Sequence, residues 1–175
     1  MDPFATLGLP PSFELDRRVL EGRFRELQKQ LHPDRHASAP ASHRRMNLAK
    51  AVEVNEAYRA LRSEIPRAEA LLAALGHEAP AGGSEPADPE FLMEVMELRE
   101  ALGEAKAAKD MDAVAVLSAR VAKLQTGTRG ELASAFARVA TAADAVDEAR
   151  ALIARMRYFK RFLDEVAVIE EEAEG

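Results

Sequence analysis

The chain has 175 residues and a net charge of −6, enough length for one domain or two small ones and the wrong charge balance for a general nucleic-acid binder, whose domains are usually basic. It contains no cysteine, which excludes disulfides, thiol catalysis and thiolate metal sites. No apolar run approaches the ~20 residues of a membrane span, and Met1-Asp2-Pro3-Phe4 lacks the regions of a signal peptide, so the expectation is a cytoplasmic protein with no nucleic-acid or membrane partner. Alanine and leucine dominate, together with Glu and Arg, and β-branched residues form no alternating runs, so an all-α fold is expected.

Phe4, Leu7 and Leu9 precede Pro10-Pro11 as a short apolar lead-in that should pack on the first domain. Ser12 is placed to cap a helix starting near Phe13. Leu20, Phe24, Leu27 and Leu31 then recur at four, three and four residues, one face of an amphipathic helix. The opposite face carries Arg18, Gly22, Arg25 and Lys29, a basic strip. Pro33 disfavours helical geometry at His32, so the helix should end there and run into an exposed His32-Pro33-Asp34 turn. Residues 35–42 read as a loop. A second long helix is expected from about His43 to Ser63, with Leu48, Ala51, Val54 (or Val52), Tyr58 and Leu61 inward, forming an antiparallel hairpin with the first. Ile65-Pro66-Arg67 breaks that pattern, and Ala68 to Leu75 adds a short helix.

Residues 76–89 are rich in proline and glycine and read as a linker between a domain at 1–75 and another at 90–175. Asp88-Pro89-Glu90 supplies an N-cap, a proline at the first helical position and an acid near the positive end of the dipole. That helix should reach about Lys109, and an aspartate of Asp110-Met111-Asp112 should cap the next. Val114, Leu117, Val121 and Leu124 continue at helical spacing, Thr126 to Gly130 should kink or interrupt the helix, and Leu132, Phe136 and Val139 resume. After a break near Thr141 to Asp144, a last helix carries Leu152, Met156, Phe159, Leu163, Val166 and Ile169, with a Glu-rich end that should fray. Three long helices suggest an antiparallel bundle.

In the helix after the linker, Phe91, Val95, Leu98, Leu102 and Ala105 form a core stripe, while Leu92, Met93, Met96, Glu97, Glu100 and Glu104 lie opposite. Apolar clusters edged by polar groups tend to mark partner sites, and methionine suits adaptable surfaces. The plainer alternative is a helix packed on two sides, the second against the first domain.

His32-Pro33-Asp34 alone is a helix-ending turn with Asp34 bonded to local backbone. His32, His36 and His43 lie close in sequence, but no second carboxylate or thiolate completes a ligand set, so no metal site is expected. No serine or cysteine nucleophile stands in a strand-turn-helix setting, and no Walker-type glycine loop is present. A basic helix running into His32-Pro33-Asp34, followed by Asn55-Glu56-Ala57-Tyr58-Arg59-Ala60-Leu61, resembles the J domain. The resemblance implies that Arg18, Arg25, Lys29, His32, Pro33 and Asp34 dock a DnaK-type heat-shock chaperone and stimulate its ATPase, the chain itself being no enzyme and needing no cofactor.

The segment Phe91-Leu92-Met93-Glu94-Val95-Met96-Glu97-Leu98-Arg99-Glu100 further resembles the signature of the HscB family of iron–sulfur cluster assembly, and Met156-Arg157-Tyr158-Phe159 with Ile169-Glu170-Glu171 resembles that family's last helix. The likeness covers nearly the whole chain. It implies delivery of the scaffold IscU to a DnaK/HscA-type chaperone, with Leu92, Met93, Met96, Glu97, Glu100, Glu104 and an aromatic, Tyr158 or in the alternative register Phe159, on the scaffold side. The zinc site of some eukaryotic relatives has no cysteines here, and Arg67-Ala68-Glu69-Ala70-Leu71-Leu72 has Ala70 where the family often has Tyr. Two other functions fit part of the pattern: a general J-protein binding other clients, and a structural helical protein whose His-Pro-Asp is accidental.

Overall fold

Seven α-helices and one 3-10 turn make up the computed structural model, which describes residues 1–36, 40–77, 88–142 and 144–174 and holds no strand among them. It divides into two compact units, Met1–Ala79 and Pro80–Gly175. Most of the segment read as a linker, residues 78–87, lies outside the described residues, as do residues 37–39 of the expected loop.

In the first unit, α1 (Pro3–Leu7) is capped by Asp2, whose carboxylate accepts from the backbone N–H of Phe4 at 2.9 Å and of Ala5 at 3.3 Å. Phe4 and Leu7 are fully buried, so the apolar lead-in is itself a helical turn packed on the unit. The turn closes at Gly8, whose φ of +63° lies in the left-handed region that favours glycine, with the Arg23 guanidinium packed 2.9 Å from where a Cβ would stand. Arg23 Nε donates to the Leu7 carbonyl at 2.9 Å and ties α1 to the next helix.

The helix expected near Phe13 is absent. Ser12 donates its hydroxyl to the Glu14 carbonyl at 2.9 Å, and α2 (Arg17–Leu31) starts only after Asp16, whose carboxylate accepts from the Arg18 N–H at 2.7 Å. The charged cap out-competes the hydroxyl. Leu20 is buried, and Phe24, Leu27 and Leu31 are half-buried. Phe24 stacks on Tyr58 of α3 (Ala41–Arg62) at 4.0 Å between ring centroids, and Gln28 donates to Asn55 at 3.4 Å, so the two helices run antiparallel. Val54, Ala57 and Leu61 bury the second half of α3, but Leu48 is 63% exposed. With residue 28 opposite 55 and 24 opposite 58, α2 ends before it reaches Leu48, and no long helix faces that turn. Pro66 does not precede α4 (Glu64–Ala74) but sits in its first turn, where its missing N–H has no intrahelical partner to lose.

The second unit is an up-down-up bundle of α5 (Pro89–Ala108), α6 (Met111–Arg138) and α7 (Ala145–Glu174). Asp88 accepts from the Glu90 N–H at 3.1 Å, and Asp110 caps α6 by accepting from the Ala113 N–H at 2.9 Å. Only Lys109, in the left-handed region at φ 55°, and Asp110 separate α5 from α6. The interruption expected at Thr126 to Gly130 does not occur: α6 is continuous, and Thr126 returns its hydroxyl to the Ala122 carbonyl at 2.9 Å. Val121, Thr128, Leu132 and Ala135 keep one face buried through the glycines, so packing overrides the weak propensity. α7 stays helical to Glu174, so the expected fraying is not seen, and residue 143 of the preceding break lies outside the described residues. Leu98, Leu102, Val114, Val121, Phe159, Phe162 and Val166 form the centre of the bundle.

Candidate functional site

Two surfaces carry the residues singled out in the sequence, one on each unit. On the first unit, Arg18, Arg25 and Lys29 are all exposed on α2. Glu21 tempers the strip, holding Arg17 at 2.9 Å and Arg25 at 3.9 Å. His32 leaves the helix with ψ 130°, as the following proline demands. Pro33 opens a 3-10 turn that reaches His36. His32, Pro33 and Asp34 are exposed, and the Asp34 N–H donates to His32 Nδ1 at 3.3 Å. The Asp34 carboxylate stands 3.6 Å from Nδ1. Beside the turn, Arg25, Gln28, Leu31, Pro33, Ala51 and Asn55 line an open groove between α2 and α3. Among the described residues no three His, Asp or Glu side chains gather as metal ligands; the His36 side chain lies outside those described.

On the second unit, Phe91, Leu98, Leu102 and Ala105 are the buried stripe of α5. Leu92, Met93 and Met96 are 48%, 64% and 69% exposed, and Glu97, Glu100 and Glu104 are exposed with them. Within this unit nothing packs on that second side: three large apolar side chains stand in solvent with three carboxylates beside them. Tyr158 of α7 is half-buried against the core stripe of α5. Its ring meets Phe91 edge-on at 5.8 Å, and its hydroxyl donates to the Val95 carbonyl at 3.2 Å. Burial pushes the Tyr158 pKa above its ordinary 10.0, partly offset by a hydrogen bond from Arg99. Phe159 is buried in the core, so only Tyr158 has a surface to offer. Arg155 escaped the sequence reading, because a lone Arg on a helix reads as solvated. It joins Asp88 at 2.9 Å and lies over the Phe91 ring at 4.9 Å, pinning the start of α5 to α7.

Residues 87–167 match the family profile described as the HSCB C-terminal oligomerisation domain. Along its whole length the chain is 38% identical to the co-chaperone protein HscB homolog of Vibrio vulnificus strain YJ016 and 35% identical to that of Vibrio parahaemolyticus, each relative being covered completely. The chain belongs to the HscB co-chaperone family. Two HscB structures share its fold. The chaperone HscB from Vibrio cholerae is 33% identical with a TM-score of 0.82 and 99% of both chains covered. Human HscB is 27% identical with a TM-score of 0.86, covering 97% of this chain and 82% of that one. The reading as an unrelated helical protein is thereby excluded. One departure from the HscB pattern, Ala70, sits half-buried on α4 and opens a groove with Pro3, Ala60, Pro66 and Ala73. No helix among the described residues is long and apolar enough to cross a membrane.

Proposed function

We propose that this co-chaperone carries the iron–sulfur scaffold IscU to a DnaK/HscA-type heat-shock chaperone in the cytoplasm and stimulates that chaperone's ATPase, aiding cluster transfer. Residues 1–75 act as the J domain, residues 76–89 as the linker and residues 90–175 as the scaffold-binding bundle. The protein itself hydrolyses nothing and takes no cofactor. The observation that carries this reading is the exposed Leu92, Met93 and Met96 cluster on the side of α5 opposite its core stripe. Such a cluster buries well only against a partner, while Glu97, Glu100 and Glu104 orient and steer it. Tyr158 extends the apolar face from α7. At the other end, Arg18, Arg25 and Lys29 supply positive charge for an acidic chaperone surface, and the solvent-facing His32-Pro33-Asp34 turn supplies the trigger.

A crossed assay tests both halves. His32→Gln should lose ATPase stimulation and still bind IscU by calorimetric titration. A triple alanine at Leu92, Met93 and Met96 should lose IscU binding and still stimulate the ATPase in the absence of scaffold. If the native chain stimulates the ATPase but never binds IscU, it is a general J-protein with other clients. If His32→Gln stimulates fully, the J-domain role is wrong.

A further inference from the structure

All sulfur in this chain is methionine: six residues, with no cysteine. Their surroundings differ. Met156 is buried in the second unit and Met1 and Met46 are exposed on the first, whereas Met93 and Met96 stand in solvent together within the apolar face of α5. Thioether oxidation to the sulfoxide turns a flexible apolar side chain into a polar one, and reductases reverse it. We propose that Met93 and Met96 are a reversible oxidation site through which hydrogen peroxide switches off recognition of the scaffold. This rests on the scaffold-binding reading of that face.

The chemistry balances without any group from the protein. The sulfur lone pair attacks one peroxide oxygen, an S–O bond forms and the O–O bond breaks. Sulfur is oxidised to the sulfoxide, and the peroxide is reduced to water, which keeps both protons. The neighbouring side chains decide what the new oxygen does to binding. A sulfoxide oxygen accepts hydrogen bonds, but Glu97, Glu100 and Glu104 are carboxylates and acceptors only. The three carboxylates beside the sulfurs therefore offer the new oxygen no donor, and carrying a polar sulfoxide into an apolar interface is costly. A bound scaffold covers both sulfurs, so occupied co-chaperone is shielded while free co-chaperone is the form that is turned off.

The full-length protein tests this, with Met46→Leu to silence the exposed sulfur on α3. It is treated with graded hydrogen peroxide, each methionine is followed by peptide mass spectrometry, and IscU binding is titrated on the same samples. Met93 and Met96 should gain oxygen before Met156, affinity should fall at least about tenfold with an unchanged melting temperature, and methionine sulfoxide reductases should restore it. Saturating IscU during treatment should protect both residues. Full oxidation of both with unchanged affinity would overturn the proposal, as would oxidation no faster than that of Met156. If the untreated protein fails to bind IscU, the scaffold reading itself is wrong and the switch falls with it.

Discussion

The Tyr158 hydroxyl donates to the carbonyl of Val95, so this aromatic of α7 is fastened to the helix that carries the exposed apolar cluster. Tyr158→Phe keeps the ring and loses the bond, leaving a half-buried carbonyl without its side-chain partner. The expected cost is about 0.5–1.5 kcal/mol of stability, read by chemical denaturation, with IscU affinity retained. Tyr158→Ala should lose both stability and affinity. The raised pKa gives this residue a pH signature. The folded state favours the protonated phenol more than the unfolded state does, so its contribution is complete below pH 10.0 and is lost as pH rises through the higher folded value. Tyr158→Phe should remove that part of the alkaline decline.

Charge on α2 should act through association rate. Arg25 and Lys29 are exposed one turn apart, and their double reversal to Glu should slow docking to the chaperone. The defect should shrink as salt rises, because exposed charges are screened over about 8 Å at physiological ionic strength. Stimulation measured across a salt series separates this from His32→Gln, whose defect should persist at all salt concentrations.

The two sides of α5 should respond oppositely to truncation. Leu98 is fully buried, so Leu98→Ala should cost roughly 2–5 kcal/mol of stability. Alanine at Leu92, Met93 and Met96 removes solvent-exposed groups and should leave the melting temperature within a few degrees of native while weakening IscU binding by about 2 kcal/mol or more. An early-melting triple variant that still binds IscU when folded would show that these residues serve packing.

Gly127 and Gly130 offer a stability gain. Both sit exposed within continuous α6, and an added Cβ at either meets nothing within 4 Å. Replacing an exposed helical glycine with alanine should add about 0.5–1 kcal/mol each, seen as a higher denaturation midpoint with IscU binding unchanged.

Where a local rule and a long-range contact agreed, the sequence was enough. Asp88-Pro89 opens α5, Asp110 caps α6, and Pro33 stops α2 at Leu31, because caps and prolines act over a few residues. The Leu92, Met93 and Met96 face was legible because α5 also carries a complete core stripe, leaving nothing inside the unit to cover its other side. Leu48 failed for the converse reason: periodicity says which residues share a face, not whether a helix lies opposite, and α2 ends too soon. Ser12 failed because Asp16 was the better cap four residues on. The glycines of α6 failed because their cost is small beside the burial of Val121, Leu132 and Ala135. The choice between Tyr158 and Phe159 needed coordinates, since adjacent helical residues differ by about 100° of rotation and either fitted the motif.

The Lys109-Asp110 connection has a bearing on how this surface evolves. Two residues leave no slack between α5 and α6, so the rotational phase of α5 is set from its C-terminal end by a single left-handed residue. Inserting or deleting one residue ahead of Lys109 would turn the upstream part of the helix by about 100°, swinging Leu98 outward and Met93 or Met96 toward the core. The exposed face of α5 can therefore change by substitution at fixed positions, while changes of length within α5 are closed to it.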